Sequence, residues 1–453
     1  MLELSQILAI AIFVVMFVAI VIGKVHRFIP ALIGSALVIV IVLLGTMRSP
    51  EAALNVLSLS QLGQFSFWVP GQEGVVSHGV NWQTIIFIGG MMVLVEGMGE
   101  VGFFRWLCLV VAKMVKYKVV PILITFMLLS GFLAMFIDSI TVLLFLASVT
   151  IELARLLKFD PVPVIIAEIF AANVGGAATM CGDPPNIIIG TAFGYTFTDF
   201  AINTGPIAWA GMLLTLVIFY LMFRKTLTST QGEPITSGNQ YPEPKEAIVD
   251  AHLFRISAAI FILVVVLLVT HAQTGLSVAL IGVIAALLTS LAAGRKALHI
   301  IKRIDWRTLL FFLGLFIVVG GLEETGVLKM LAEYIGDISG GSLLLVIPII
   351  LWVSAFGSAI VDNIPFAATM VPVIASLSQT QGFSLPTLSW TLALGTDIGG
   401  NATPIGASAN VVGTAIAERE GYHIGWGRVM KNALPAMIMV IGLCHLYLIL
   451  RYA

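Results

Sequence analysis

The stretch NVGGAATMCGDPPN, Asn173–Asn186, interrupts a chain that is otherwise strongly apolar. It holds one Asp, two Asn, two adjacent Pro and three Gly. The surrounding 453-residue sequence is 59% hydrophobic and 10% charged, with a mean hydropathy of +1.06. A soluble domain carries about 25% charge, so this is an all-α polytopic membrane protein with the lipid bilayer as its partner. Gly-Gly and Pro-Pro break a helix. At membrane depth the freed backbone groups are tolerated only where they are buried in protein or line a wet cavity. The stretch also recurs. DIGGNATPIGASAN, Asp397–Asn410, lies 224 residues downstream.

Two further pairs keep that spacing. NWQT at 81–84 returns as DWRT at 305–308, and SGFLAMFIDSI from Ser130 returns as SAFGSAIVDNI from Ser354. A shared register without gaps over so long a stretch marks an internal duplication. An earlier pair, PALIG at 30–34 and VALIG at 278–282, lies 248 apart. The extra residues of the first half therefore fall in the loop between 47 and 80. The sequence divides into a first repeat at 1–225, a linker at 226–253 and a second repeat at 254–453. The linker is polar and rich in Pro, Gly and Ser, so it reads as exposed.

Charge sets the orientation of the repeats. With five spans per half, a single topology gathers twenty of the 23 Lys and Arg on the inner side, leaving Arg48, Lys329 and Arg451 outside. That asymmetry satisfies the positive-inside rule, and the odd span count makes the repeats inverted. Both termini are expected outside and the linker in the cytoplasm, in a bacterial inner membrane. Residues 5–23 read as the first span, because Lys24, His26 and Arg27 follow where a signal peptide would carry its cleavage site. In each half FIDSIT or IVDNIP lies between two apolar arms with both far ends on one side, a re-entrant hairpin with Asp138 or Asp362 near its tip. Each half also has a span broken at its Gly-rich motif. Segments 103–117 and 327–338 read as interfacial helices.

Paired hairpins and broken helices in inverted halves are the architecture of secondary-transporter substrate sites. A half-helix that starts at a break directs N–H groups and a positive dipole end into the site, while free carbonyls of the break suit a cation. Asp138, Asp183, Asp362 and Asp397 fall in the tips and breaks, each costing roughly 2.5–3.5 kcal/mol at a helix centre. In this topology no Lys or Arg reaches their depth, so the carboxylates are expected to hold Na⁺ or H⁺ together with Ser139, Asn173 and Asn363. Thr179, Asn186, Asn401, Thr403, Ser408 and Asn410 add oxygen ligands around the substrate. Gly175, Gly176, Gly399 and Gly400 permit an unusual backbone and close approach. Plainer readings stand beside these. A lone Gly-Gly is a packing kink, Asp183 before two prolines is a helix cap, and Cys181 is a small hydrophobe. The three cysteines are scattered and frame neither a disulfide nor a zinc site. No cofactor, resident metal, catalytic group or nucleic-acid partner is implied.

GGAATMCGDPPNIIIG and GGNATPIGASANVVGTAIAEREGY resemble the paired signatures of the ion transporter superfamily. More narrowly they are similar to its ArsB/NhaD-type permease branch, which includes the melanosomal P protein; the second motif is nearest to that protein. The resemblance covers nearly the whole chain. It implies a scaffold and a transport domain in each protomer, a homodimer and elevator-type alternating access. One departure bears on substrate. Divalent-anion/sodium symporters of the superfamily carry Ser-Asn-Thr at each tip, whereas here the tips read Asp138-Ser139-Ile140 and Asp362-Asn363-Ile364. Two added carboxylates oppose a carboxylate substrate unless cations offset them. The expected cargo is therefore Na⁺ in antiport with H⁺, or an arsenite-like weak acid. A Na⁺-coupled dicarboxylate or citrate transporter and a passive channel remain the alternatives.

Overall fold

The computed structural model describes residues 3–70, 79–229 and 241–453, and all regular structure among them is helical. Residues 71–78 of the long loop and 230–240 of the linker lie outside the described residues. The main helices of the first half are α1 (Leu4–Ile22), α2 (Phe28–Thr46, a π-helix from Val38), α3 (Trp82–Glu100), α4 (Phe103–Met114), α5 (Val119–Leu133), α6 (Ser139–Leu157), α7 (Val162–Gly176), α8 (Pro184–Phe193) and α9 (Gly205–Ser229). Those of the second are α10 (Ala251–Val269), α11 (Val278–Ala293), α12 (Trp306–Glu324), α13 (Val327–Ser339), α14 (Leu343–Val361), α15 (Asn363–Gln381), α16 (Leu385–Gly399), α17 (Ser408–Arg419) and α18 (Trp426–Tyr452). Each first-half helix thus has a counterpart nine labels later.

Ten helices among the described residues are long and apolar enough to cross a bilayer, five before the linker and five after it. The number matches the sequence reading by a different route. Length selects one hairpin arm in each half, α6 and α14, and passes over the broken helices. The chain is an integral membrane protein, and its outer helices look the part: on α1, Val14, Val15 and Val18 are all exposed. Both segments expected to be interfacial helices are helical, as α4 and α13. On α13 the buried positions Leu328, Ala332 and Gly336 recur every four residues, a one-faced helix.

Local chemistry repeats with the sequence. Asn81 accepts the Thr84 N–H at 3.1 Å and caps α3; Asp305 accepts the Thr308 N–H at 3.2 Å and caps α12. Packing repeats too, but with the halves exchanged. Helix α3 packs on α11 and α2 on α12, while α6 packs on α17 and α8 on α15. The first exchange is intimate, since a Cβ placed on Gly90 of α3 would lie 2.1 Å from the carbonyl oxygen of Gly282 on α11. Helices α2, α3, α11 and α12 therefore form one packed group, and α5–α8 with α14–α17 a second that encloses both breaks.

Ion pairs join connections of opposite halves. Arg155 pairs with Glu420 at 2.5 Å, Arg428 with Asp160, and Arg303 with Glu96 at 2.9 Å. Exposed pairs of this kind contribute about 0–1 kcal/mol each, so they report which loops are neighbours more than they hold the fold. The described end of the linker is not free. Tyr117 donates to the Pro242 carbonyl at 2.7 Å, its ring stacks on Tyr241, and Pro244 and Ala247 are buried.

Candidate substrate and cation site

The breaks are built alike. In the first, Asn186 donates both amide protons backwards, to the carbonyls of Gly176 at 3.1 Å and Thr179 at 3.0 Å. In the second, Asn410 does the same to Gly400 at 2.8 Å and Thr403 at 2.6 Å. Thr179 donates to the carbonyl of Met135, and Thr403 to that of Ala359, both at 2.5 Å, which ties each break to its own hairpin. These three bonds and their three counterparts all obey the 224-residue spacing. The carbonyls expected to be free for a cation are thus already matched.

The glycines serve close approach and not an unusual backbone. A Cβ on Gly175 would stand 2.2 Å from the Gly131 carbonyl oxygen, and one on Gly399 would stand 2.4 Å from that of Ala355. A Cβ on Gly176 or Gly400 would meet the carbonyl of Gly182 at 3.0 Å or Gly406 at 2.7 Å. None of the four has a positive φ. The expectation of special torsions is corrected because the helix runs on in ordinary geometry through each Gly-Gly; what the motif supplies is absence of side chain.

At the centre lies Asp183. Ser139 of the first tip donates to one of its oxygens at 2.6 Å, and Asn363 of the second tip donates to the other at 2.5 Å. Ser139 and Asn363 are themselves counterparts 224 apart, so two equivalent tips clamp one carboxylate. The helix-cap reading of Asp183 fails, because its side chain makes no capping bond to α8. Nor does α8 offer N–H groups at its start: positions 184 and 185 are proline, which has none. Helix α17 differs, since Ser408 and Ala409 carry N–H groups that the helix ladder leaves unmatched.

Asp397 is fully buried and adjoins both Asp183 and Asn186. Neither of its oxygens has a hydrogen-bond donor, and Asn186 Oδ1 has none either. Asn186 cannot supply one, its protons being committed to the break. The counterpart contact is ordinary. Asn173 donates to Asn410 Oδ1 at 2.9 Å and to Asn401 Oδ1 at 3.0 Å, leaving only its own Oδ1 unmatched. Asn401 in turn donates to the Ile398 carbonyl at 3.1 Å. Where one half sets an amide donor against an amide oxygen, the other has a carboxylate beside Asn186 and leaves both carboxylate oxygens and the amide oxygen without a hydrogen-bond partner.

The tips themselves part company. Asp138 turns back on its own helix, accepting the Thr141 N–H at 3.0 Å and the Thr141 hydroxyl at 2.7 Å, and caps α6. Asp362 has φ +94°, a region that non-glycine residues enter at a cost. It accepts the Ile364 N–H at 3.1 Å, the Ser408 hydroxyl at 3.1 Å and the guanidinium of Arg27 at 3.2 Å. The expectation that no basic residue reaches these carboxylates is therefore wrong. Arg27 sits in the connection between α1 and α2, and its long side chain also donates to Ser408 at 2.5 Å and Thr308 at 3.0 Å while lying 4.9 Å over the Phe311 ring. Sequence reading counted Arg27 only as an inner-loop charge. Thr308 was within reach, since it closes the repeated DWRT motif. Glu168, buried with one oxygen accepting from Thr150 and the other unmatched, is a further polar group at the core of α7.

A cleft of about 350 Å³ opens at this second tip, lined by His26, Arg27, Asp305, Thr308, Asp362 and Ser408 among others. On the first half the counterparts of Asp305 and Thr308 are engaged with α8: Asn81 donates to Thr191 at 2.7 Å, and Thr84 and Thr191 share a hydrogen bond of 2.9 Å, all three buried, with a smaller cleft of about 60 Å³ beside Asn81. Among the described residues no cluster of three His, Cys, Asp or Glu side chains suited to a metal occurs.

Comparison with known proteins adds to this geometry. The family described as CitMHS, citrate transporter, matches residues 17–395. An uncharacterized transporter of Mycobacterium tuberculosis is 32% identical over 451 residues, 99% of each chain. The P protein of Homo sapiens is 28% identical over 468 residues, which is 83% of this chain and 55% of that one. The solved YdaH transporter of Alcanivorax borkumensis has a TM-score of 0.56 at 14% identity, covering 88% of both chains. MtrF of Neisseria gonorrhoeae, described with a class of antimetabolite efflux pumps, has a TM-score of 0.51 at 12% identity over 81% and 80% of the two chains. At such identities the two solved structures speak to fold alone.

Proposed function

The chain belongs to the CitMHS citrate transporter family, and from that premise we propose that it is a secondary active transporter whose coupling cation, Na⁺ or H⁺, is held at Asp397. The family makes it a transporter and not an enzyme. The observation that carries the coupling site is a fully buried carboxylate, Asp397, neither oxygen of which has a hydrogen-bond partner, set beside Asp183 and Asn186. A buried carboxylate without donors is costly by several kcal/mol; a proton on it or a cation against it removes that cost. Ser139, Asp183 and Asn363 hold the neighbouring charge in place.

Two inverted repeats working as an elevator account for the rest. Support comes from the hydrogen bonds repeated at 224 residues, from helix packing that exchanges halves, and from ion pairs among loops that charge assigns to the inner side. On this reading α2, α3, α11 and α12 are the scaffold, α5–α8 and α14–α17 the moving part, and the protomers pair as homodimers. Both termini lie outside a bacterial inner membrane.

A carboxylate of the citrate class now stands ahead of arsenite or plain Na⁺/H⁺ antiport as cargo. The objection to it was bare charge at both tips. Asp362 is offset by Arg27 and accepts from Ser408, while Asp138 turns back onto the N–H and hydroxyl of Thr141, so the charge of one tip is cancelled and that of the other is engaged as a helix cap. The family description points the same way.

Reconstitution in proteoliposomes tests this. With imposed Na⁺ and pH gradients, labelled citrate should accumulate against its own gradient; each charge moved contributes about 2.3 kcal/mol per 100 mV. Asp397→Asn should retain citrate exchange but lose accumulation. Flux that never exceeds citrate's electrochemical gradient would make the protein a channel and end the proposal.

A further inference from the structure

Arg27 belongs to the scaffold side of the molecule, yet its guanidinium fills the second tip. It contacts Asp362, Ser408 and Thr308 and lies over Phe311. Three of these belong to different elements: Asp362 to the α14–α15 hairpin, Ser408 to the second break, Thr308 to the scaffold helix α12. The guanidinium therefore bridges the two packed groups. Its carboxylate partner is also the one described tip residue with a positive φ, where Asp138 keeps an ordinary φ of −55°. A site that holds its carboxylate in a strained backbone and meets it with a charge from a neighbouring group is built to be vacated.

The first half has no such device. Its tip carboxylate caps its own helix, and the position 248 residues after Arg27, where the second half aligns at this end, is Gly275. The second tip thus holds a cationic side chain from outside its hairpin, which the first tip lacks. Burial pulls the His26 imidazole at the mouth below its ordinary value, so at neutral pH Arg27 is the positive charge of this connection that faces Asp362.

We propose that Asp362 and Ser408 form a second cation site, distinct from Asp397, that is filled by the Arg27 guanidinium in this conformation and by a free monovalent cation once the hairpin leaves the scaffold. The proposal rests on the transporter reading above. It adds that one coupling cation is exchanged against a residue of the chain itself, so the site is neutral at both ends of the cycle and the tip is never moved as a bare carboxylate. The side from which Arg27 reaches in would be the side where the free cation is released.

Arg27→Ala, Arg27→Lys and the double change Arg27→Ala/Asp362→Asn test it, with citrate uptake and thermal stability in detergent read together. Arg27→Ala should cut uptake on the order of tenfold, and millimolar methylguanidinium should restore most of it. Arg27→Lys should keep most activity. In the double variant methylguanidinium should do nothing, because the carboxylate that receives it is gone. A separate arm uses no cargo: the melting temperature of Arg27→Ala should rise with methylguanidinium in a saturable way that wild type lacks. Wild type that fails to transport citrate but shows this contrast in melting sinks the cargo reading and keeps the site. Equal stabilisation of wild type, Arg27→Ala and the double variant by methylguanidinium overturns the site.

Discussion

The first break and the second share a backbone and differ in charge. Asp183 has φ −145° and ψ 149°, and its counterpart Ala407 has φ −145° and ψ 150°. One position carries the carboxylate on which both tips converge, and the other carries a methyl group. Ten residues before each lies the reverse arrangement, Asn173 in the first half and Asp397 in the second. The two breaks therefore share the bonds of Asn186 and Asn410, Thr179 and Thr403, while their ionisable groups stand at different positions. A consequence is that the two buried carboxylates meet: Asp183 from one half and Asp397 from the other sit side by side, the first with two donors and the second with none. Neutralising the two should have opposite effects on the fold.

The largest effect is expected at Asp183. In Asp183→Asn one of the two oxygens becomes an amide group, so the Asn363 amide or the Ser139 hydroxyl no longer meets a charged acceptor. A hydrogen bond to a charged group is worth about 1.5–3 kcal/mol; one is lost and the other becomes neutral. Purified protein should melt at lower temperature by an amount equivalent to about 2–3 kcal/mol, and citrate uptake should fall to background. A variant that melts like wild type would mean that the clamp of Ser139 and Asn363 does not hold the tips together.

Asp397→Asn comes next and runs the other way. The substitution installs the residue that the first half uses at this place. Its amide can donate to Asn186 Oδ1 as Asn173 donates to Asn410, giving the orphaned oxygen a partner. A stabilisation of about 1 kcal/mol follows from one recovered buried hydrogen bond, read as a higher melting temperature. The stabilisation of wild type by Na⁺ or by lower pH should vanish in the same variant. If Asp397→Asn destabilises as Asp183→Asn does, Asp397 already has a donor in solution and is not the coupling site.

Much of this contrast was legible before any coordinates. The 224-residue register located both breaks, the helix pairs around Asp138 and Asp362, and the two amphipathic helices that precede them, because each rests on chemistry local to the chain: Gly-Gly for approach, Pro for the stop, Asp or Asn for a cap. The swap of Asp183 and Asp397 between halves was equally visible. What escaped was long-range direction. Nothing in FIDSIT says that Asp138 will bend back to Thr141 while Ser139 beside it reaches 44 residues to Asp183. Arg27 was hidden for a different reason. Its place after the first span satisfied the positive-inside rule completely, so no residual signal asked for a second role. A helix connection that dips toward the second tip, and a side chain long enough to finish the distance, are properties of packing that the spacing of apolar residues does not encode.

The smallest effect is expected on the closed side. Asn81 and Thr84 of α3 meet Thr191 of α8 where, on the open side, Asp305 and Thr308 face a cleft. Asn81 also caps α3 through Thr84, so removing Asn81 would confound cap and seal. Thr191→Val keeps the volume and the cap and removes only the hydroxyl that joins the two helix groups. The buried Asn81 amide then loses one acceptor, a penalty of about 1–2 kcal/mol, felt in the closed arrangement and not in the one where α8 has moved off α3. The conformational balance should shift by that amount, roughly a factor of ten. Uptake should change less, two- to fivefold, because closing is one step of several. The measurement that isolates it is reaction of a cysteine placed at Ala192 with a membrane-impermeant thiol reagent, which should quicken in Thr191→Val on the side away from Arg27. Unchanged labelling would show that the Asn81–Thr191 contact does not hold that side shut, and the two ends of the site would then differ in charge but not in gating.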